Sequence, residues 1–109
     1  MSIADITQSI DTVIQKQGFD IIPFSQAVAE APELSFLLKP ETSWRGFSGL
    51  GDKRIFVNDS DPQDEQLFTI LHEMGHQLSG SQSEDVADNI ALFCCQLIRS
   101  LTGIDLAAE

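Results

Sequence analysis

His72-Glu73-Met74-Gly75-His76 lies in an otherwise apolar segment and places two imidazoles one helical turn apart, with a carboxylate beside them. Residues four positions apart share one face of an α-helix, so His72 and His76 can hold one metal ion while Glu73 flanks it. This spacing of two ligands and a base is typical of zinc hydrolases. The chain has two histidines, and the motif uses both. The alternatives are a helix that carries two histidines by chance, and a site that binds metal only for structural reasons or has decayed.

A third metal ligand is expected, because catalytic zinc usually has three protein ligands. With both histidines used, it must come from Asp, Glu or Cys. The segment after Gly80 opens a second helix with Glu84, and Asp88 follows one turn later. A tight reversal at Gly80 would pack this helix antiparallel to the first and bring its first turns near His76. Both carboxylates are candidates, and the competing interpretation is that Ser81 and Glu84 form a capping box.

Length and charge restrict the class of protein. At 109 residues, of which 42% are apolar, residues 1–109 are expected to form a single compact domain with one core. Seventeen acidic residues against six basic ones give a formal charge of −11. This charge disfavours binding to nucleic acid or to an anionic membrane, since both need clustered Lys and Arg. Metal cations and basic protein partners are favoured instead.

Targeting and redox signals are weak. The first residues, Met1-Ser2-Ile3-Ala4-Asp5, have neither a basic segment nor a continuous apolar stretch, so we expect a non-exported, cytoplasmic protein. Cys94 and Cys95 are adjacent, and neighbouring cysteines rarely form a structural disulfide. We expect both to be reduced and to serve as small apolar side chains on a buried helix.

Hydrophobic periodicity and turn residues predict an α+β chain. Before the motif, these signals predict a helix from Ser2 to Gln17 ended by Gly18, a strand from Phe19 to Ile22 and a helix from Ser25 to Glu30. The segment from Glu33 to Thr42 is ambiguous. A β-hairpin is predicted from Trp44 to Asn58, with its turn near Gly49 to Asp52. Trp44 and Phe47 are expected in the core. The motif helix should begin at Asp61-Pro62, with Asp61 as its cap, and end near Ser79. The following helix should begin near Ser81 or Ser83 and end at Gly103.

Three consecutive segments together resemble the ImmA/IrrE metallopeptidases. They are Lys53-Arg54-Ile55-Phe56-Val57-Asn58, Leu67-Phe68-Thr69-Ile70-Leu71-His72-Glu73-Met74-Gly75-His76, and Glu84-Asp85-Val86-Ala87-Asp88-Asn89-Ile90-Ala91. In that family, a strand ending in Val-Asn precedes the His-Glu-x-Gly-His helix, and a Glu-x-x-Ala-Asn/Asp helix follows. The chain departs from the family in the very short loop between Gly80 and Ser83.

The resemblance implies a small zincin-like α+β domain, with a short hairpin or sheet packed on the motif helix and a ligand-bearing helix after it. It implies Zn²⁺ held by His72, His76 and Glu84, with Glu73 as the general base. The implied activity is gluzincin-like cleavage of a protein partner, often a DNA-binding repressor, in bacteria and their mobile elements. The rival hypothesis is a non-catalytic interaction module or inhibitor in which zinc only braces the helices. The chain has no Tyr, so an oxyanion donor must be a backbone N–H, an Arg or the partner itself.

Overall fold

A computed structural model describes residues 2–38, 45–49 and 51–106. Four α-helices and three short strands follow one another as α1 (Ile3–Lys16), β1 (Asp20–Pro23), α2 (Phe24–Glu30), β2 (Gly46–Phe47), β3 (Arg54–Val57), α3 (Gln63–Ser79) and α4 (Glu84–Thr102), with a 3-10 helix at Pro32–Leu38 between α2 and β2. The predicted α+β class is confirmed. None of these helices is both long and apolar enough to cross a membrane.

The first helix begins and ends where its terminal residues predict. The Ser2 hydroxyl accepts from the Asp5 backbone N–H, and the Asp5 carboxylate accepts from the Ser2 N–H, which completes a capping box. Gly18 lies just beyond the helix with a φ of 90°, a conformation that costs glycine little. The ambiguous segment forms the 3-10 helix at Pro32–Leu38, and its predicted continuation through residues 39–42 lies outside the described residues.

The strands form one mixed sheet in the order β1-β3-β2. β2 and β3 are antiparallel, with Phe47 opposite Phe56, so the predicted hairpin is confirmed where it is described. Trp44 and the turn residue Leu50 lie outside the described residues. β1 pairs in parallel with β3, with Ile21 opposite Ile55. β3 is therefore the central strand, and the two-residue β2 forms an edge.

The start of α3 differs from the prediction. Pro62 is the N-cap residue, and the cap makes no side-chain hydrogen bond, so the assignment of Asp61 as the cap is wrong. With Pro62 in the cap position, Asp61 lies one residue too early for its carboxylate to accept from the free N–H groups of the first turn. The Asp61 N–H instead donates to the Asn58 carbonyl. The other end is as predicted, because Gly80 closes the helix in a left-handed conformation.

Two apolar clusters use different sides of α3. Ile70 and Met74 pack with Ile55 and Val57 of the sheet, and with Ile14 and Phe19. Leu67 and Leu71 pack in a second cluster, whose other members are Ile6, Ala91, Cys95 and Leu106. α3 therefore lies between the sheet and α4, and α1 contributes to both clusters, through Ile14 and Ile6. This double packing fixes the helix that carries the motif.

α3 and α4 approach closely at Gly75. A Cβ atom at that position would lie 3.0 Å from both the Cα and the carbonyl oxygen of Ala87. The glycine inside the motif therefore allows the start of α4 to lie against the histidine-bearing part of α3. Cys95 is buried in the adjoining cluster, Cys94 is half-buried, and both are free thiols, as predicted. Burial, with a smaller contribution from nearby Cys94 and Asp105, raises the pKa of Cys95 to about 11.

Candidate metal centre

The two histidines of the motif lie one turn apart on α3. Their ring centroids are 4.9 Å apart, and the ring planes are nearly perpendicular, at 86°. His76 is buried, and His72 retains a small exposed area. Both rings contact side chains from the first turns of α4. The short loop at Gly80 was predicted to bring these turns close to His76.

Each imidazole is oriented through its Nδ1 atom. Nδ1 of His76 lies 2.8 Å from the Ser81 carbonyl oxygen, and Nδ1 of His72 lies 2.8 Å from Oδ1 of Asp88. A carbonyl oxygen and a carboxylate can only accept, so each Nδ1 is assigned as the N–H donor. In a neutral imidazole this assignment leaves the lone pair on Nε2. Both Nε2 atoms are then available to bind a metal ion, and a hydrogen bond from the other ring nitrogen is usual for histidines that do so.

Glu84 brings a carboxylate oxygen to both Nε2 atoms. Its Oε1 lies 2.7 Å from Nε2 of His72 and 3.3 Å from Nε2 of His76. Three electron-rich atoms so close together repel one another unless a cation lies among them, either a proton on a ring or a metal ion. Ser83 caps α4 by accepting from the Val86 N–H, so the interpretation of Ser81 and Glu84 as a capping box is wrong. The Glu84 carboxylate is directed to the histidines.

The surroundings of His76 favour positive charge on its ring. Burial lowers the pKa of His76, but hydrogen bonds to Ser81 and Glu84 and the charges of Glu73 and Glu84 outweigh it, so the net pKa is raised above 6.5. The pKa of Glu84 is lowered, mainly by its hydrogen bond to His72. The carboxylates that stabilise a protonated ring would also stabilise a bound cation.

Glu73 lies beside the histidines but has a different partner. Only 6% of the residue is exposed, and its Oε1 accepts a hydrogen bond of 2.8 Å from the Ser48 hydroxyl. One potential ligand atom from each of His72, Glu73 and His76 lies within 4.8 Å of the other two. Glu84 contacts both Nε2 atoms and Glu73 is held by Ser48, so the two carboxylates differ in their surroundings, as the separate roles predicted for them require.

A cleft of about 490 Å³ opens over this cluster. The residues that line it come from three places: the edge segment at residues 45–49, the motif helix, and the start of α4 with Gln82 before it. Phe47 and Phe68 supply apolar surface, and Arg45 is the single cation among the described lining residues. Phe47, predicted for the core, is half-buried and stacks on Phe56 with centroids 4.7 Å apart, so it packs in the fold and also faces the cleft.

Sequence reasoning did not identify Ser48. It lies 25 residues before Glu73, in a segment whose glycines and alternating pattern indicated only a hairpin. A serine in a turn-rich stretch has no local signal for a partner so far along the chain. Gln82, in the loop before α4, was also missed.

The family comparison agrees with this geometry. The family model Peptidase_M78, described as the IrrE N-terminal-like domain, matches residues 25–93, which is more than half of the chain. The chain belongs to this family. The matched region of this IrrE N-terminal-like domain runs from α2 into α4, and it contains His72, Glu73, His76, Glu84 and Asp88. Comparisons with curated proteins and with solved structures gave no match. The family is of the metallopeptidase type, and His72, Glu73 and His76 form a group that could hold a metal ion.

Proposed function

We propose that this protein is a zinc-dependent endopeptidase that cleaves a protein partner in the cleft over α3. His72, His76 and Glu84 hold the ion, and Glu73 is the general base. The observation that carries the proposal is the convergence of two Nε2 atoms on the Glu84 carboxylate, beside a buried Glu73 that accepts a separate hydrogen bond. Two imidazoles and one carboxylate form a recognised ligand set of catalytic zinc.

The hydrogen bonds of the two histidines suit them to bind zinc together with the Glu84 carboxylate. Both Nδ1 atoms are already hydrogen-bonded, so both Nε2 atoms are free to act as ligands. Bound Zn²⁺ supplies a Lewis acid, which polarises a carbonyl and lowers the pKa of water. Glu73 then accepts the proton that water loses on attacking the peptide carbonyl, and it returns this proton to the leaving amine. The general base and the ligands are thus distinct residues.

Negative charge that develops on the carbonyl oxygen needs a donor. With no Tyr in the chain, we assign this role to Arg45, the single cation among the described residues of the cleft wall, or to a backbone N–H of the same edge segment. Arg45 also forms an exposed ion pair with Glu65, at 3.8 Å. Exposed pairs of this kind contribute little free energy, so the guanidinium can leave Glu65 at small cost.

An extended substrate would lie along β2. β3 is the central strand, and its residues Phe56 and Val57 already pair with β1 on one side and β2 on the other. β2 and the residues after it line the cleft, and backbone groups at an edge can pair with an extended peptide. We place this activity in the cytoplasm, because two free thiols suit a reducing compartment.

The experiment compares wild type with Glu73→Gln, after zinc loading, on a pool of unstructured peptides analysed by mass spectrometry. The variant keeps the size of the side chain but cannot accept the proton. We expect both proteins to bind equal zinc, and we expect cleavage to fall about a hundredfold or more in the variant. Equal cleavage at equal zinc content would show that Glu73 is not the base. Absence of cleavage by the wild type would favour the rival zinc-braced interaction module.

A further inference from the structure

The edge segment at residues 46–49 is attached to α3 by three successive contacts. A Cβ on Gly46 would lie 2.5 Å from Cγ2 of Thr69, so the strand and helix touch there. The Ser48 hydroxyl donates to Glu73, and the Gln77 side-chain amide donates to the Gly49 carbonyl, each at 2.8 Å.

The helical partners in these contacts share one spacing. Thr69, Glu73 and Gln77 are four residues apart, so they form one row along α3. The edge segment therefore runs beside this row, and Glu73, the proposed general base, makes the middle contact of the three. The outer contacts hold the segment in place, and the middle contact binds the carboxylate of Glu73.

The middle contact constrains Glu73 more than packing alone would. A Glu side chain has three rotatable bonds, and a base must be positioned within a fraction of an ångström of its working geometry. The hydrogen bond from Ser48 to Oε1 restrains the orientation of the carboxylate. Ser48 itself is held by the contacts at Gly46 and Gly49 on either side of it.

We propose that Ser48 is a positioning residue. Its hydroxyl fixes the orientation of the Glu73 carboxylate and its position relative to the edge segment. This proposal rests on the proposed peptidase function. Ser48 takes no part in proton transfer. Its loss should lower kcat while leaving KM nearly unchanged, because the cleft wall stays attached through Gly46 and Gln77. Loss of the Gln77 contact should have the opposite effect and raise KM, because it loosens the wall but leaves the Ser48 bond.

Two measurements on the zinc-loaded full chain test the proposal. The first is a double-mutant cycle of unfolding with Ser48→Ala and Glu73→Ala, which needs no substrate. A bond to a carboxylate should couple the two positions by about tenfold in the unfolding constant, or about 1.4 kcal/mol. Ser100→Ala, at an exposed helical position, is the matched control and should show no coupling with Glu73→Ala.

The second measurement is cleavage of the same peptide pool by Ser48→Ala, Ser48→Thr and Gln77→Ala. We expect kcat to fall about ten- to a hundredfold in Ser48→Ala and to recover in Ser48→Thr, which restores a hydroxyl. Coupling below about twofold would overturn the hydrogen bond and with it the proposal. If the wild type cleaves and Ser48→Ala keeps its kcat, the positioning role is wrong while the peptidase function stands. If the wild type cleaves nothing although the coupling is present, the peptidase function fails, and Ser48 makes a structural hydrogen bond with no positioning role.

Discussion

Glu84 is the residue on which the proposed metal site depends most, because it alone among the described carboxylates contacts both Nε2 atoms. Asp88 contacts His72 through the opposite ring nitrogen, Nδ1. A group there orients the ligand and raises its basicity, but it does not bind the metal. The two acidic residues, one turn apart on α4, therefore have unequal expected effects.

We predict that Glu84→Ala loses more zinc affinity than Asp88→Ala. The loss in Asp88→Ala should be about ten- to a hundredfold, as for other residues that orient a metal ligand. Titration of zinc-free protein against a chelator of known affinity measures both. Glu84→Gln serves as a control that keeps the side chain's size. Equal losses, or a larger loss in Asp88→Ala, would show that the third ligand has been misassigned.

The histidines and Glu73 could be predicted at the residue scale because one turn of helix carries all three. Periodicity alone relates such residues, and no knowledge of the fold is needed. Spacing alone left Glu84 and Asp88 both open as the third ligand, and the family resemblance implied Glu84. The contact of Glu84 with both Nε2 atoms depends on the packing of two helices, which spacing does not show. To predict the role of Ser48, the position of the hairpin on α3 must also be known, since only this packing brings the Ser48 hydroxyl to Glu73.

At the scale of elements, the approach of α3 to α4 at Gly75 determines whether Glu84 reaches the histidines. Any side chain at position 75 must displace the backbone of Ala87, since a Cβ would lie 3.0 Å from two of its backbone atoms. Backbone atoms in a packed helix cannot rotate away. The backbone of α4 at Ala87 would therefore have to shift by a few tenths of an ångström.

We predict that Gly75→Val lowers the free energy of unfolding by about 2 kcal/mol, within the usual range for overpacking, and also weakens zinc binding. Denaturant unfolding of the zinc-free protein measures the first effect. Leu78→Val, at an exposed position on the same helix, controls for placing a β-branched residue in a helix and should change stability much less. A Gly75→Val protein as stable as wild type would contradict the close packing.

Local signals predicted the elements better than their pairing. α1 was predictable from a capping box at one end and a glycine at the other, and the hairpin from alternation and turn residues. The parallel pairing of β1 with β3 was not predicted, because thirty residues separate the strands and no turn chemistry links them. The Asp61 cap failed for a local reason, since the adjacent proline occupies the cap position itself.

At the scale of the whole molecule, charge bears on the choice of partner. Three carboxylates and one guanidinium lie among the described lining residues of the cleft, so a divalent ion would bring this lining to formal neutrality. We propose that the substrate is a basic protein, such as a DNA-binding regulator. Its attraction must then come from the rest of the surface of a chain whose net charge is −11. Such attraction acts at long range and is screened by salt.

We predict that association with the natural partner slows as salt is added, by about tenfold or more between low and physiological ionic strength. Stopped-flow measurement of the association rate, with the inactive Glu73→Gln protein and a candidate basic regulator, tests this. Glu73→Gln removes one negative charge of the seventeen, so steering should persist in it. A rate independent of salt would remove the electrostatic basis for a basic partner.

The most direct test of the central claim is the zinc content of tag-free protein, measured by elemental analysis after zinc loading and removal of unbound ion. The wild type should hold about one zinc per chain near neutral pH, and His76→Ala should hold less than about a tenth of an equivalent. Gln82→Ala, which lines the cleft without contributing a ligand, should match the wild type. Less than about a tenth of an equivalent in the wild type, or full occupancy in His76→Ala, would contradict a metal centre at this site.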